Sequence, residues 1–265
     1  MKEIPVLLYH NMGHYPVAAM EDGLHPESFE QQMGFLAENG YNVVPLKAAL
    51  DHLSGRIKLP PRSIAVTIDG GYRDAYTDAL PVLKRYKLHA TFFVVPRYLG
   101  GAKTVGDIPI PCLSWNELRV IADAGMGVGL LMYEGRGIKR LYNEQAVKDS
   151  VSASLKVMKE NFDGHIEFCA VKEGVPKKSL WDFLKVRGFK AVFTQCPTNQ
   201  RTTPAGIGRI QIDDDDHNIF LTKISPMYLF FKDKRSWKYI RRYKVDRLAH
   251  RISETVNRIR GNKQV

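Results

Sequence analysis

Alternating short apolar runs and helical patterns predict an α/β fold built on a parallel sheet, and two segments carry that prediction most directly. Ser63 to Ile68 is short, β-branched and apolar, as a buried parallel strand is, and it ends in Asp69-Gly70-Gly71. Residues 143 to 162 place Val147, Val151, Leu155, Met158 and Phe162 on one helical stripe. Strands and helices in that order imply right-handed crossovers. A chain of 265 residues suits one such domain with a substantial core.

Strand candidates lie near residues 4 to 9, 41 to 45, 63 to 68, 89 to 95, 127 to 132, 166 to 171, 190 to 194 and 208 to 212. The first ends in Tyr9-His10. The third meets two glycines that permit a turn with positive φ, after which Ala75, Ala79, Leu83 and Tyr86 recur at helical spacing. A carboxylate such as Asp69 at the end of a central strand lies where α/β and barrel enzymes place their chemistry. It can also be structural, accepting backbone N–H groups at the corner. His10 beside Tyr9 has a satisfied core histidine as its alternative reading, although its presence together with Asp69 slightly favours a working or once-working groove, and His89, just ahead of a strand, has a structural role as its default. Residues 97 to 114, rich in Gly and Pro, read as a loop at a groove rim. Asp213 to Asp216 with His217 resembles a metal cluster, but the run precedes an apolar helical segment. Carboxylates at a helix N-terminus are stabilised by the macrodipole, which is the preferred reading.

Charge is uneven. The chain carries a formal net +11, and residues 232 to 265 hold twelve Lys/Arg against three Asp/Glu, a net of +9. Ser236 is positioned to cap a helix on which Ile240, Leu248, Ile252, Val256 and Ile259 form an apolar side. Such a helix either packs on the domain with a solvated basic face or lies on an anionic membrane surface. No recognition motif accompanies the charge, so nucleic acid is not expected as a partner. Cys112, Cys169 and Cys196 are too few and scattered for a disulfide framework or zinc motif, and are expected reduced and buried. The start, Met1-Lys2-Glu3-Ile4-Pro5, shows no basic region followed by a long apolar segment, and no run reaches spanning length. The expectation is a cytoplasmic chain, with peripheral membrane attachment open through the basic tail.

The stretch Thr67-Ile68-Asp69-Gly70-Gly71-Tyr72-Arg73-Asp74-Ala75-Tyr76 resembles the first motif of the NodB-homology polysaccharide deacetylases, carbohydrate esterase family 4, usually Thr-Phe-Asp-Asp-Gly-Tyr. The resemblance extends from about residue 4 to 225. It is nearest to the poly-N-acetylglucosamine deacetylases, whose opening pattern looks like Val6-Leu7-Leu8-Tyr9-His10, Pro26 to Met33 and Asn39-Gly40-Tyr41 to Leu46. It implies a distorted (β/α) barrel, often of seven strands, which is assigned to residues 1–231, leaving residues 232–265 as the basic amphipathic helix read above from charge and spacing. It also implies Asp69 as catalytic base and His10 as general acid, with Tyr72, Tyr133, Glu134 and Glu173 along the substrate groove.

The motifs depart from the family at its metal. The first family ligand is an Asp where this chain has Gly70, and the two histidines of His-x-x-x-His correspond to Leu131 and Gly135. The third motif, an aromatic-Pro-Tyr-Gly loop, reads Ala170-Val171-Lys172-Glu173-Gly174. Glycine and leucine offer no donor atom, so no metal and no other cofactor is expected at the family position. A replacement set from Glu134, Glu173, Asp74 and His14 is conceivable. The leading expectation is a glycan-binding or polysaccharide-assembly protein impaired at the metal site. The rivals are a divergent hydrolase that removes acetyl groups through Asp69, His10 and water, and a peripheral membrane scaffold.

Overall fold

The computed structural model describes residues 4–16, 23–105, 107–132, 144–171, 176–195, 204–213 and 216–225. Tyr133, Glu134, Gly135, Glu173, Cys196 and the basic tail lie outside them, as does the expected boundary at 231/232. The chain forms two compact units, Met1–Asp213 and Asp214–Val265.

The first unit contains β1 (Val6–Tyr9), α1 (Pro26–Glu38), β2 (Asn42–Val43), α2 (Leu46–Leu53), β3 (Ser63–Gly70), α3 (Leu80–Arg85), β4 (Thr91–Val94), β5 (Ala102–Val105), β6 (Ile108–Pro111), α4 (Trp115–Asp123), β7 (Gly127–Met132), α5 (Glu144–Asn161), β8 (Phe168–Val171), α6 (Lys178–Val186), β9 (Ala191–Thr194), β10 (Ile207–Gly208) and β11 (Ile210–Gln211). Each predicted strand is present. The main sheet runs β10-β9-β8-β7-β4-β3-β1-β11 with every pairing parallel, and β2 adds beside β3. Its two ends are successive pieces of one segment. Ile207 and Gly208 pair with β9, Arg209 donates its N–H to Thr194 at 3.0 Å, and Ile210 and Gln211 pair with β1. That segment therefore closes a seven-stranded ring, the distorted barrel that the resemblance implies.

Alternation along the strands separates two apolar layers. Val6, Ala65, Phe93, Leu131, Phe168, Ala170, Ala191, Phe193 and Ile207 cluster in one, joined by Leu46, Ala49 and Leu50 of α2. Leu130, Cys169, Val171 and Val192 turn the other way and pack on Val147 and Val151 of α5 and Leu180 and Leu184 of α6. On the predicted α5 stripe, Val147, Val151, Met158 and Phe162 are buried and Leu155 is half-buried. Cys112 and Cys169 are free and buried.

The rim segment corrects an expectation. Instead of an irregular loop, it holds the antiparallel pair β5–β6, with Thr104 opposite Pro109 and Ala102 opposite Pro111. A two-stranded ribbon consists of edges alone, so proline, which cannot donate, fits there. The composition that reads as loop is also that of an edge ribbon. The helix after Asp69 differs too: residues Ala75–Ala79 form a π-helical turn before α3. Pro81 lacks an N–H and its ring would collide with the carbonyl four residues back, and a widened turn relieves both.

Within the second unit, α7 (His217–Ile224) begins at Asp216, whose carboxylate accepts the Asn218 N–H at 2.7 Å. The acidic run thus does precede a helix, as predicted, and Asp216 in addition caps it. Among the described residues no group of three His, Cys, Asp or Glu could hold a metal, and no helix is long and apolar enough to cross a membrane.

Candidate functional site

Barrel topology brings the ends of β1 and β3 together. Tyr9 and Ile68 are the last register partners of that parallel pair, so the next residues, His10 and Asp69, stand side by side at the carboxyl end of the sheet. His10 is half-buried, whereas Asp69 is 2% exposed. Tyr9 beneath them is fixed by its hydroxyl donating to Gln32 at 2.8 Å and by an edge-on contact with Phe29.

Asp69 does not wait for backbone donors. Arg209, fully buried, places Nη1 2.6 Å from Asp69 Oδ1 and Nη2 2.7 Å from Oδ2, a bidentate pair. Nη1 also lies 3.2 Å from the Thr67 hydroxyl, which itself donates to the Leu7 carbonyl at 2.6 Å, and the guanidinium sits near the Phe93 ring. Burying either charge alone would be costly, and the pairing offsets that cost. Arg209 is the residue at which the closing segment passes from β9 to β1, so one ion pair spans the seam of the barrel. Sequence reasoning missed it. The available signal was a single cation at an inward position of the apolar run Ile207 to Ile212.

The corner after Asp69 has the predicted positive φ angles, +113° at Gly70 and +68° at Gly71. Gly70 is the first family ligand position, and a Cβ there would fall 2.4 Å from Tyr72 Cε2. The ring of Tyr72 occupies the room that a ligand side chain would need, and the backbone conformation strains any L residue. Leu131, at the first histidine position, is buried in the inner apolar cluster. Residues 70 and 131 therefore do not fit the family's metal. Tyr72 itself is 6% exposed, packs on Ile110 and Cys112 and accepts a hydrogen bond from Lys103 Nζ at 2.8 Å. The β5–β6 ribbon thus roofs the corner, further tied by Leu113 N–H to the Gly71 carbonyl at 2.9 Å.

A second carboxylate lies five residues on. Asp74 is 3% exposed and accepts the Met12 N–H at 2.9 Å. Burial, reinforced by the charge of Asp78, pushes its carboxyl up to about 7, against the opposing pull of donors from Met12, Tyr15 and Ala75. Burial and the Asp74 charge raise the Tyr15 phenol in turn, and burial pushes the Cys112 thiol up to about 11. His14 is exposed and pairs with Glu27 at 3.3 Å, so of the suggested replacement ligands Asp74 points inward and His14 belongs to a surface contact. Elsewhere, burial lowers the pKa of His89 against a Gly125 backbone hydrogen bond, in keeping with its structural reading. Glu134, Glu173 and Tyr133 fall outside the described residues.

Comparison with known proteins agrees with this architecture. The family model described as polysaccharide deacetylase matches residues 56–192, just over half the chain. YxkH of Bacillus subtilis, a polysaccharide deacetylase by assignment, is 33% identical over 98 residues, covering 37% of this chain and 34% of YxkH. The match spans about a third of that relative's length. Among solved structures, IcaB from Ammonifex degensii superposes with TM-score 0.71 at 23% identity, covering 88% of this chain and 98% of its own. The deacetylase PplD of Streptococcus pyogenes, solved with acetate, gives 0.70 at 17% identity, with 84% and 98% covered. At those identities the likeness is one of fold.

Proposed function

The chain belongs to the polysaccharide deacetylase family, and from that premise we propose that it binds N-acetylated polysaccharide at the His10–Asp69 end of the barrel without the family's metal-dependent hydrolysis. The observation that carries this reading is the Gly70 corner. Its backbone angle and the Tyr72 ring together exclude a side-chain ligand there. In metal-dependent hydrolysis the ion polarises the carbonyl and lowers the pKa of the attacking water, which is worth several kcal/mol of transition-state stabilisation. A chain that lacks the donors at 70 and 131 keeps a groove and loses that source of rate. The fixed Asp69–Arg209 pair then serves as scaffold: it holds the mouth of the barrel in shape and leaves recognition to half-buried groups such as His10. Calorimetric titration of an N-acetylglucosamine oligomer into the full chain tests this reading. Binding that persists in EDTA supports it, and absence of binding under all metal conditions refutes it.

A second reading follows from the adjacency of His10 and Asp69 in the β1–β3 register. An imidazole acid beside a carboxylate base is the minimum set for acetyl hydrolysis through water. Both oxygens of Asp69 already accept from Arg209, so such a reaction first requires that pair to open. Acetate release from the oligomer, abolished by His10→Gln, would favour this hydrolase. The +9 charge of residues 232 to 265 adds a proposed accessory role at an anionic membrane surface. Binding to anionic vesicles that survives deletion of residues 236 to 265 would refute that role.

A further inference from the structure

Asp74 has a feature that glycan binding does not explain. It buries a carboxyl whose donors come from N–H and O–H groups, namely Met12, Tyr15 and Ala75, while Oδ1 is enclosed without a hydrogen-bond partner among the described residues. Met12 and Tyr15 belong to the stretch that leaves the barrel directly after His10. That stretch is otherwise fixed by the Asn11 carbonyl, which accepts the Leu24 N–H at 3.0 Å, and by the bond from Tyr15 N–H to the Gly13 carbonyl, also 3.0 Å. The charged and titratable groups facing Asp74 are Tyr15 from this stretch, Asp78 from the π-helical turn and Cys112 from the end of the ribbon, with Lys103 acting on Cys112 from β5.

The two protonation states hold this stretch differently. As a carboxylate, Asp74 accepts all its donors with charge assistance but carries a desolvated charge. As an acid it sheds the charge, weakens those bonds and acquires an O–H for which Oδ1 has no acceptor in place. We propose that Asp74 is a positioning residue for His10, its buried carboxyl clasping residues 12 to 15 and resetting that clasp when it gains or loses one proton. The consequence is a groove whose shape responds to pH near neutrality, the region in which the raised carboxyl titrates. This inference rests on the reading of the His10–Asp69 end as the ligand groove, but its test needs no glycan. Failure of glycan binding would therefore refute the proposed function and leave this result standing.

The test is a proton–nitrogen NMR titration of the full chain from mildly acidic to mildly alkaline pH, following the Asn11 and Met12 amides. The expected result is one transition with a midpoint near 7 in both signals. It disappears in Asp74→Asn, which keeps an acceptor oxygen, and persists in His10→Gln. Tyr15→Phe removes a donor that favours the charged form, so the midpoint moves to higher pH, and this variant keeps the test decisive if Asp74→Asn fails to fold. Flat Asn11 and Met12 signals in the wild type, a transition that survives Asp74→Asn, or one that vanishes with His10→Gln would overturn the proposal.

Discussion

Asp69 and Asp74 are the same residue type, five positions apart and almost equally buried at 2% and 3% exposure, yet they sit in opposite electrostatic situations. Asp69 faces a guanidinium that holds both its oxygens, whereas Asp74 faces N–H and O–H donors and the repulsion of Asp78. A partner of full opposite charge compensates for desolvation, and dipolar donors do so only in part. The first carboxylate is consequently a fixed strut across the barrel seam, and the second is poised to exchange a proton. Burial alone does not decide the role of a carboxylate; the charge of its partner does.

The largest effect should come from breaking the strut. Arg209→Met leaves Asp69 buried and unpaired, and removing one member of such a pair typically costs about 3–5 kcal/mol. Chemical denaturation should show that loss, and the double variant Arg209→Met, Asp69→Leu should recover much of it, since neither charge then remains. If the single variant is as stable as wild type, Asp69 is reached by water and the contrast with Asp74 fails.

The second effect is a slope. Burial pushes the folded-state carboxyl of Asp74 up to about 7, against 3.8 for an ordinary aspartate. Because this pKa is raised, the stabilisation from the retained proton is complete below the unfolded value and is lost as pH rises from about 4 through about 7. At 1.36 kcal/mol per pKa unit the loss is on the order of 4 kcal/mol. The difference in stability between wild type and Asp74→Asn should change in that direction across that window. A difference that stays flat across that window would show that Asp74 exchanges no proton there and would erase the distinction.

A smaller effect is expected at the corner between them. Gly70→Asp restores the family's ligand type but forces an L side chain to φ +113° and against Tyr72. Strain of this kind costs about 1–3 kcal/mol, so thermal unfolding should occur earlier and no stoichiometric metal should be gained. A more stable, metal-loaded variant would show that the corner relaxes and that the missing donor alone separates this chain from its family.

Much of the scaffold was legible in sequence because it depends on local pattern. Ser63 to Ile68 announced a buried strand, the Gly70-Gly71 pair announced its turn, and the run Asp213 to Asp216 announced a helix N-terminus. The ribbon at 102–111 was not legible, because Pro109 and Pro111 on an edge look like loop residues until the pairing is known. The partners of the two carboxylates were hidden for a different reason. Arg209 reaches Asp69 across 140 residues, a contact that only barrel closure creates, and Met12 reaches Asp74 across 62, a contact that follows from the β1–β3 pairing. Sequence could therefore place His10 and Asp69 at one end of the sheet, but not tell that Asp69 is pinned or that Asp74 holds the stretch after His10. The expected groove residues Tyr133, Glu134 and Glu173 lie outside the described residues and add nothing to this contrast.

The central claim, a family groove without the family's metal chemistry, is tested most directly by acetate release from an N-acetylglucosamine oligomer. The full chain should be incubated with zinc, cobalt or nickel in turn, and its metal content measured in parallel. The account predicts release at the uncatalysed rate and less than stoichiometric metal in every case. One equivalent of bound metal with metal-dependent acetate release would contradict it.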